Sequence, residues 1–290
     1  MENIFEKGCL IQLSSSIWGA RRKIKAEQIT HMADAGQWLS TQKKLVDPCA
    51  LKPIHKVANA ARGYLSGMSL PFPINGMVFV PKEMISRVDE QLTRFQTEFN
   101  EKVGEFISRY DRLREAAMLH LGDLFNETDY PVNIASKFSF TWRFVVLDVP
   151  NGRSGVLSPE VYEREKQKFV QSMEDAREMA VMSLREEFSG MIERITERFT
   201  NGGDTKPKVF KNGTINNFYA FFETFKERNI FDDHELAQLV DRARAVLGGN
   251  TADIIRSNDQ LKEQIRDGMA EVEKAMDEML ERPRRKIVMD

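Results

Sequence analysis

The fold is decided by the stretch MISRVDEQLTRFQTEFNEKVGEFISRYDRLREAAMLHLGDLF, residues 84–125. Its apolar positions are Met84, Val88, Leu92, Phe95, Phe99, Val103, Phe106, Tyr110, Leu113, Ala117, Leu121 and Leu124. They recur at steps of three or four residues, about 3.6 on average, which lines them along one face of an α-helix. The repeat is nearer eleven residues than seven, so the helix should run almost straight rather than supercoil strongly. Pro81 suits a first helical turn, where its missing N–H costs nothing. The spacing predicts one helix from Pro81 to about Phe125, roughly 65 Å long at 1.5 Å per residue.

A second stripe follows. Ser158 can cap a helix with Pro159 at its first position and Glu160 at the positive end of the dipole. Phe169, Met173, Ala176, Ala180, Leu184, Phe188, Met191, Ile195 and Phe199 then keep helical spacing as far as the stop at Asn201-Gly202-Gly203. Two one-striped helices of similar length bury both stripes by packing on each other. The expectation is therefore a long antiparallel helical hairpin, coiled-coil-like, over residues 81–200. Between the stripes Phe138, Phe140, Trp142 and Phe144 alternate with other residues, and Val145, Val146 and Leu147 continue the run. This reads as a β-strand or β-hairpin inserted at about 130–157.

Upstream, CLIQLSSSIWGARRKIKAEQI (residues 9–29) alternates with period two up to Trp18 and then turns basic. Residues 9–18 are expected to form a strand pairing with Met77–Val80 or with Phe138–Leu147. Arg21, Arg22, Lys23 and Lys25 would open a solvent-facing helix within a helical stretch at 20–45. Trp18 would pack beneath it as core, its indole N–H donating to a backbone carbonyl. A further helix is expected from Leu51 to Arg62, with Gly63 as its stop, followed by an Asn75-Gly76 turn and a short strand.

Downstream, residues 201–213 read as a Gly- and Lys-rich linker. A short helix from Thr214 carries Ile215, Phe218, Phe221, Phe222 and Phe225. Asp232 with Glu235 resembles a capping box for a helix ending at Gly248-Gly249. A last helix from Ala252 to Glu281 uses Ile254, Asn258, Leu261, Ile265, Met269, Val272, Met276 and Met279. The fold class is thus mainly α with a small α+β head. The expected segments are 1–80 (head), 81–200 (hairpin with β insertion) and 201–290 (C-terminal helices).

The 290 residues include 42 basic and 44 acidic side chains, a net charge of −2, so no global field draws the chain onto nucleic acid or membrane. Cys9 and Cys49 make no disulfide framework, no stretch reaches membrane-span length, and a cytoplasmic setting is expected. No phosphate-binding Gly-x-x-x-x-Gly-Lys and no dinucleotide fingerprint occur. The segment around His234 lacks the second zinc ligand, because Gln238 stands four residues on. Ser154 lies outside any Gly-x-Ser-x-Gly elbow. His31, His55, His120 and His234 have no ligand spacing. No catalytic residue, metal ligand or cofactor is assigned, although a site built from residues distant in sequence leaves no spacing signal.

Two sets of residues are candidates for binding. Phe218, Phe221, Phe222 and Phe225 crowd a short helix with more aromatic surface than one buried face needs, which fits partner docking or an oligomer contact as well as burial. Arg21, Arg22, Lys23 and Lys25, with Arg284, Arg285 and Lys286 near the C-terminus, are candidate phosphate contacts on nucleic acid. Lys43-Lys44 and Lys206, Lys208 and Lys211 are further basic groups, and any of these groups can equally be a solvated face.

The segments LIQLSSSIWGARRKI (10–24), VDPCALKPIHKVANAARGYL (46–65), FISRYDRLREAAM (106–118) and FSFTWRFVVLDVP (138–150) resemble an uncharacterised family of tailed bacteriophages and integrative elements. Its genes often lie near a MoxR-type AAA+ ATPase and recombination functions. The resemblance implies a mobile-element setting, with roles in DNA metabolism or host takeover, and it transfers no functional residue. The leading expectation is a non-enzymatic interaction protein, an adaptor or inhibitor acting on an AAA+ ATPase or a host defence or repair complex, and itself a homo-oligomer. The alternative is a DNA-binding accessory of phage replication, recombination or repair.

Overall fold

A computed structural model describes residues 4–24, 41–147, 158–199 and 212–281. The chain forms two compact units that interleave in sequence. One comprises Met1–Leu10, Gly67–Met84 and Val146–Asp290, the other Ile11–Ser66 and Ile85–Val145. This partition differs from the three consecutive segments 1–80, 81–200 and 201–290 expected from composition. The expected class, mainly helical with a small antiparallel sheet, is what the structure contains.

In the unit built on Ile11–Ser66 and Ile85–Val145, strand β1 (Gly8–Ser16) lies beside a later strand, Ser139–Val145. The two-stranded ribbon β2 (Arg21–Lys23) and β3 (Gln42–Lys44) follows β1 in the chain. Helix α1 (Lys52–Gly67) runs through Gly63, whose helix cost of roughly 1 kcal/mol is outweighed by burying Ala61 and Leu65 on either side. Helix α2 (Ile85–Ser108) buries Val88, Leu92, Phe99, Val103 and Phe106, as its stripe predicts. It packs on the 139–145 strand, with Phe99 and Phe140 ring centroids 5.5 Å apart. Gln96 Nε2 donates to the Phe140 carbonyl at 2.8 Å, and Trp142 Nε1 to Asp89 at 2.8 Å.

The single helix expected over 81–125 is broken once. Pro81 ends a strand instead of opening the helix, and α2 gives way to α3 (Tyr110–Leu121) at Arg109. There the Arg109 N–H donates to the Phe106 carbonyl at 3.1 Å, a tighter turn, and Ser108 Oγ donates back to the Glu105 carbonyl at 2.9 Å. The stripe survives the break, because Phe106, Tyr110 and Ala117 are all buried.

In the other unit, β4 (Leu70–Pro71) pairs antiparallel with β5 (Val78–Pro81), Leu70 opposite Phe79. The order β4-β5-β1 brings β5 against the first residues of β1. Gly8 is required there, since a Cβ would sit 2.2 Å from the Val80 carbonyl oxygen. The 139–145 strand, now β6 in chain order, belongs to the unit described first. Residues 9–16 thus use both candidate strands rather than one, each within its own unit.

Helix α4 (Pro159–Phe199) opens as predicted on Ser158, whose carbonyl accepts from Tyr162 N at 2.8 Å. Helices α5 (Asn212–Arg228), α6 (His234–Leu247), α7 (Ala252–Ser257) and α8 (Asp259–Glu281) complete the unit. Within this unit the helix packed most extensively along α4 is α8, so the long helical pair it contains is α4 with α8, while the helices of the 81–125 stripe belong to the other unit. Several helices of this chain carry equivalent stripes, and stripe length alone does not choose among them. The cap of α6 is Asp233, one residue later than expected: Asp232 adopts φ 53° and Asp233 accepts from Leu236 N at 3.1 Å. Gly248, at φ 55°, ends that helix as foreseen. The expected 252–281 helix splits at Asn258, which turns extended and caps Leu261 N at 3.1 Å. Of the residues expected as a linker at 201–213, those at 201–211 lie outside the described ones, and Asn212 and Gly213 already belong to α5. Among the described residues, no helix is long and apolar enough to cross a membrane.

Candidate functional site

The basic run after β1 is a strand, not the start of a helix. Ala20 turns the chain at φ 48°, and Arg21–Lys23 then pair antiparallel with Gln42–Lys44. The register is Arg21 opposite Lys44, Arg22 opposite Lys43, and Lys23 opposite Gln42. Backbone bonds from Leu45 N to Ala20 O and from Ile24 N to Thr41 O, both 2.9 Å, extend the ladder at each end. A run of cations has no helical period to bury, and here the pairing partner decides its conformation.

Strand alternation separates the charges onto two faces. On one face Arg22 and Lys43 converge on Asp129: Arg22 Nε is 3.4 Å from one carboxylate oxygen and Lys43 Nζ 2.7 Å from the other. Lys43 Nζ also donates to the Leu124 carbonyl at 2.5 Å, and its side chain is only 10% exposed. On the other face Arg21, Lys23, Gln42 and Lys44 are all exposed. Neither Arg21 nor Lys44 has an ion-pair partner among the described residues. Trp18 is half-buried rather than core, its ring 5.8 Å from Tyr110 and 6.3 Å from Phe106.

Of the candidate phosphate contacts, Arg21, Arg22 and Lys23 are therefore exposed and brought together with Lys43 and Lys44. Lys25, Arg284, Arg285 and Lys286 lie outside the described residues. Asp129 carries no local signal in the sequence, being more than eighty residues from either cation it joins.

The phenylalanine candidates are corrected by the structure. Phe218, Phe221, Phe222 and Phe225 are 0–7% exposed. Phe221 stacks on Phe188 of α4 at 5.5 Å with 16° between the rings, and Phe222 faces the Arg244 guanidinium at 5.2 Å. Helix α5 is surrounded by α4 and α7 and by that cation, so four rings on several faces all find cover. They are core and offer no docking surface. At the end of the same helix Arg228, 3% exposed, pairs with Glu187 at 2.6 Å.

A second exposed feature is the N-terminal part of α4. Its stripe is buried at Ala176, Ala180, Leu184, Phe188, Met191 and Ile195, but Val161, Tyr162, Phe169, Val170 and Met173 are only half-buried.

Elsewhere His55, His120 and His234 are exposed on helices, and His31 lies outside the described residues. Among the described residues no group of three His, Cys, Asp or Glu side chains is placed to hold a metal ion. Burial pushes the Cys9 thiol above its ordinary value, while Cys49 is exposed. The Cys49 backbone N–H, 2.8 Å from Asp47, holds that carboxyl below the usual range and fixes the turn that follows β3. Tyr130, beside Asp129, is 5% exposed, its hydroxyl has no hydrogen-bond partner among the described residues, and burial raises its pKa.

No curated protein and no solved structure matches the chain. A family model does match, over residues 5–200, which takes in the ribbon, Asp129 and all of α4. The chain belongs to the family described as Protein of unknown function (DUF3150).

Proposed function

We propose that this is a non-enzymatic interaction protein, an adaptor or inhibitor that engages a phage or host protein complex through the N-terminal turns of α4. The observation that carries the reading is the incomplete burial of that helix's stripe, closed over from Ala176 onward and half-covered from Val161 to Met173. An apolar helical seam of this kind is what a partner helix reads, by anchors at three- and four-residue spacing. The partner in this proposal is an AAA+ ATPase or a host defence or repair complex in the bacterial cytoplasm, and the same seam supports self-association.

The test pairs light scattering with affinity purification from infected host cells, using the wild type and the double substitution Phe169→Glu/Met173→Glu. The wild type is expected to scatter as an oligomer at high micromolar concentration and to retain a specific protein set. The variant is expected to be monomeric and to lose that set. A wild type that is strictly monomeric and captures the same proteins as the variant would sink the reading.

The exposed basic ribbon favours a second reading, an accessory protein of phage DNA replication, recombination or repair. Its binding to DNA should weaken steeply with salt, because phosphate contacts release condensed counterions.

A further inference from the structure

The ribbon holds two cross-strand cation pairs in consecutive register, and among the described residues only one is closed by an anion. Arg22 and Lys43 share Asp129, each taking a different oxygen of the carboxylate. Arg21 and Lys44 form the adjacent pair on the opposite face. The ladder bonds at Ala20/Leu45 and Ile24/Thr41 place Arg21/Lys44 at a position between bonded pairs, where opposed side chains come closest. Like charges directly opposite each other disfavour strand pairing. The Asp129 face shows how this protein relieves that repulsion, by seating one two-oxygen anion between guanidinium and ammonium.

We infer that Arg21 and Lys44 together bind one phosphodiester of a nucleic acid strand and that Lys23 takes the next. This rests on the second reading above. A phosphodiester offers two anionic oxygens, the same valence that Asp129 supplies on the other face, and arginine's planar fork suits it. Lys23 stands two residues from Arg21 on the same face, roughly 6.5 Å along the strand, a spacing like that of successive phosphates. Gln42, opposite Lys23, adds a neutral amide donor. Among the described residues the face carries no apolar side chain, so it lacks what a lipid surface needs for insertion. An acidic peptide offers the same charge, and polyglutamate in the experiment below separates it from nucleic acid.

The experiment is fluorescence anisotropy on a random-sequence oligodeoxynucleotide, single-stranded and duplex, at rising salt. Two neutralised phosphates contribute a log–log slope of about −1.8 on duplex or −1.4 on a single strand, a roughly 12-fold or 7-fold loss over a fourfold rise in salt. Arg21→Gln/Lys44→Gln should make the slope shallower by about 0.9 on duplex, and Arg21→Lys should keep it. Circular dichroism of the variants should match the wild type, because the substituted side chains are exposed. If the double variant keeps the wild-type slope, nucleic acid binds elsewhere, and the inference falls while the second reading stands. If no oligonucleotide binds even at low salt, both fall. Equal binding of polyglutamate or phosphatidylserine vesicles would overturn the phosphodiester assignment.

Discussion

Phe221→Ala separates a core α5 from a docking α5. The Phe221 ring is 3% exposed, stacked on Phe188 at 5.5 Å, 5.5 Å from Phe225, and 6.0 Å from the Arg228 guanidinium. Truncation removes all three contacts and opens a hole beside Phe188, which is itself fully buried. A buried Phe→Ala costs about 3–5 kcal/mol, and aromatic pairing of about 0.5–1.5 kcal/mol places this site in the upper part of that range. For a unit of about 150–250 residues, roughly 2–4 °C is lost per kcal/mol, so Tm should fall by about 6–20 °C. Far-UV circular dichroism reads this as a lower melting transition and a lower urea midpoint at unchanged slope. Fluorescence of Trp18 and Trp142 follows the other unit, to whose 11–66 and 85–145 segments they belong. A loss below about 1 kcal/mol, with helicity intact, would refute the packing described and restore Phe221 as a surface residue.

Tyr130→Phe should leave stability unchanged or raise it by about 1 kcal/mol, because it removes a buried hydroxyl that has no partner among the described residues; a clear loss in urea titration would show that the hydroxyl is bonded. Cys49 should react with a thiol reagent in the native state while Cys9 is protected, as counted by mass spectrometry after brief alkylation. The Cys9 thiol has its pKa raised above 9.0 by burial, so its contribution to stability is full below that pH and is lost as pH rises through the folded value. A Cys9→Ala variant should therefore show a flatter alkaline limb of stability than the wild type, and an identical limb would contradict the burial.

The parts legible in the sequence are those with a local period. The stripe from Met84 to Ala117 places buried residues where the structure has them, whereas the period-two run from Cys9 finds the strand but not its buried side, since Leu10 is as buried as Ile11. Capping at Ser158 and Gly248 was equally readable, because the chemistry sits within one turn of the helix end. The break at Arg109 was not, since it depends on one serine bonding back to Glu105 rather than on hydrophobic spacing. Arg21–Lys23 defeated the reading for a different reason: a charged triplet has no period, and its partner strand is some twenty residues away. The carboxylate that anchors the ribbon, Asp129, is more distant still. The α5 phenylalanines looked surplus because their cover comes from α4 and from Arg244, neither of which is local.

The interleaving of the two units bears on the order in which they can form during synthesis. The 11–66 and 85–145 unit has all its residues once position 145 has left the ribosome. The other begins with β1 and the β4–β5 pair in the first third of the chain, yet its main helical partner for α4 ends at Glu281. At roughly 5–20 residues per second, those early strands wait about 10–40 s for the helices that cover their unit. During that interval the outer edge of β4, the Gly8 region of β1 and the bare stripe of α4 are nascent, sticky surfaces. Chaperone dependence should therefore concentrate in the late-completed unit, and a ribosome stalled beyond position 145 should already display a protease-resistant fragment from the early one.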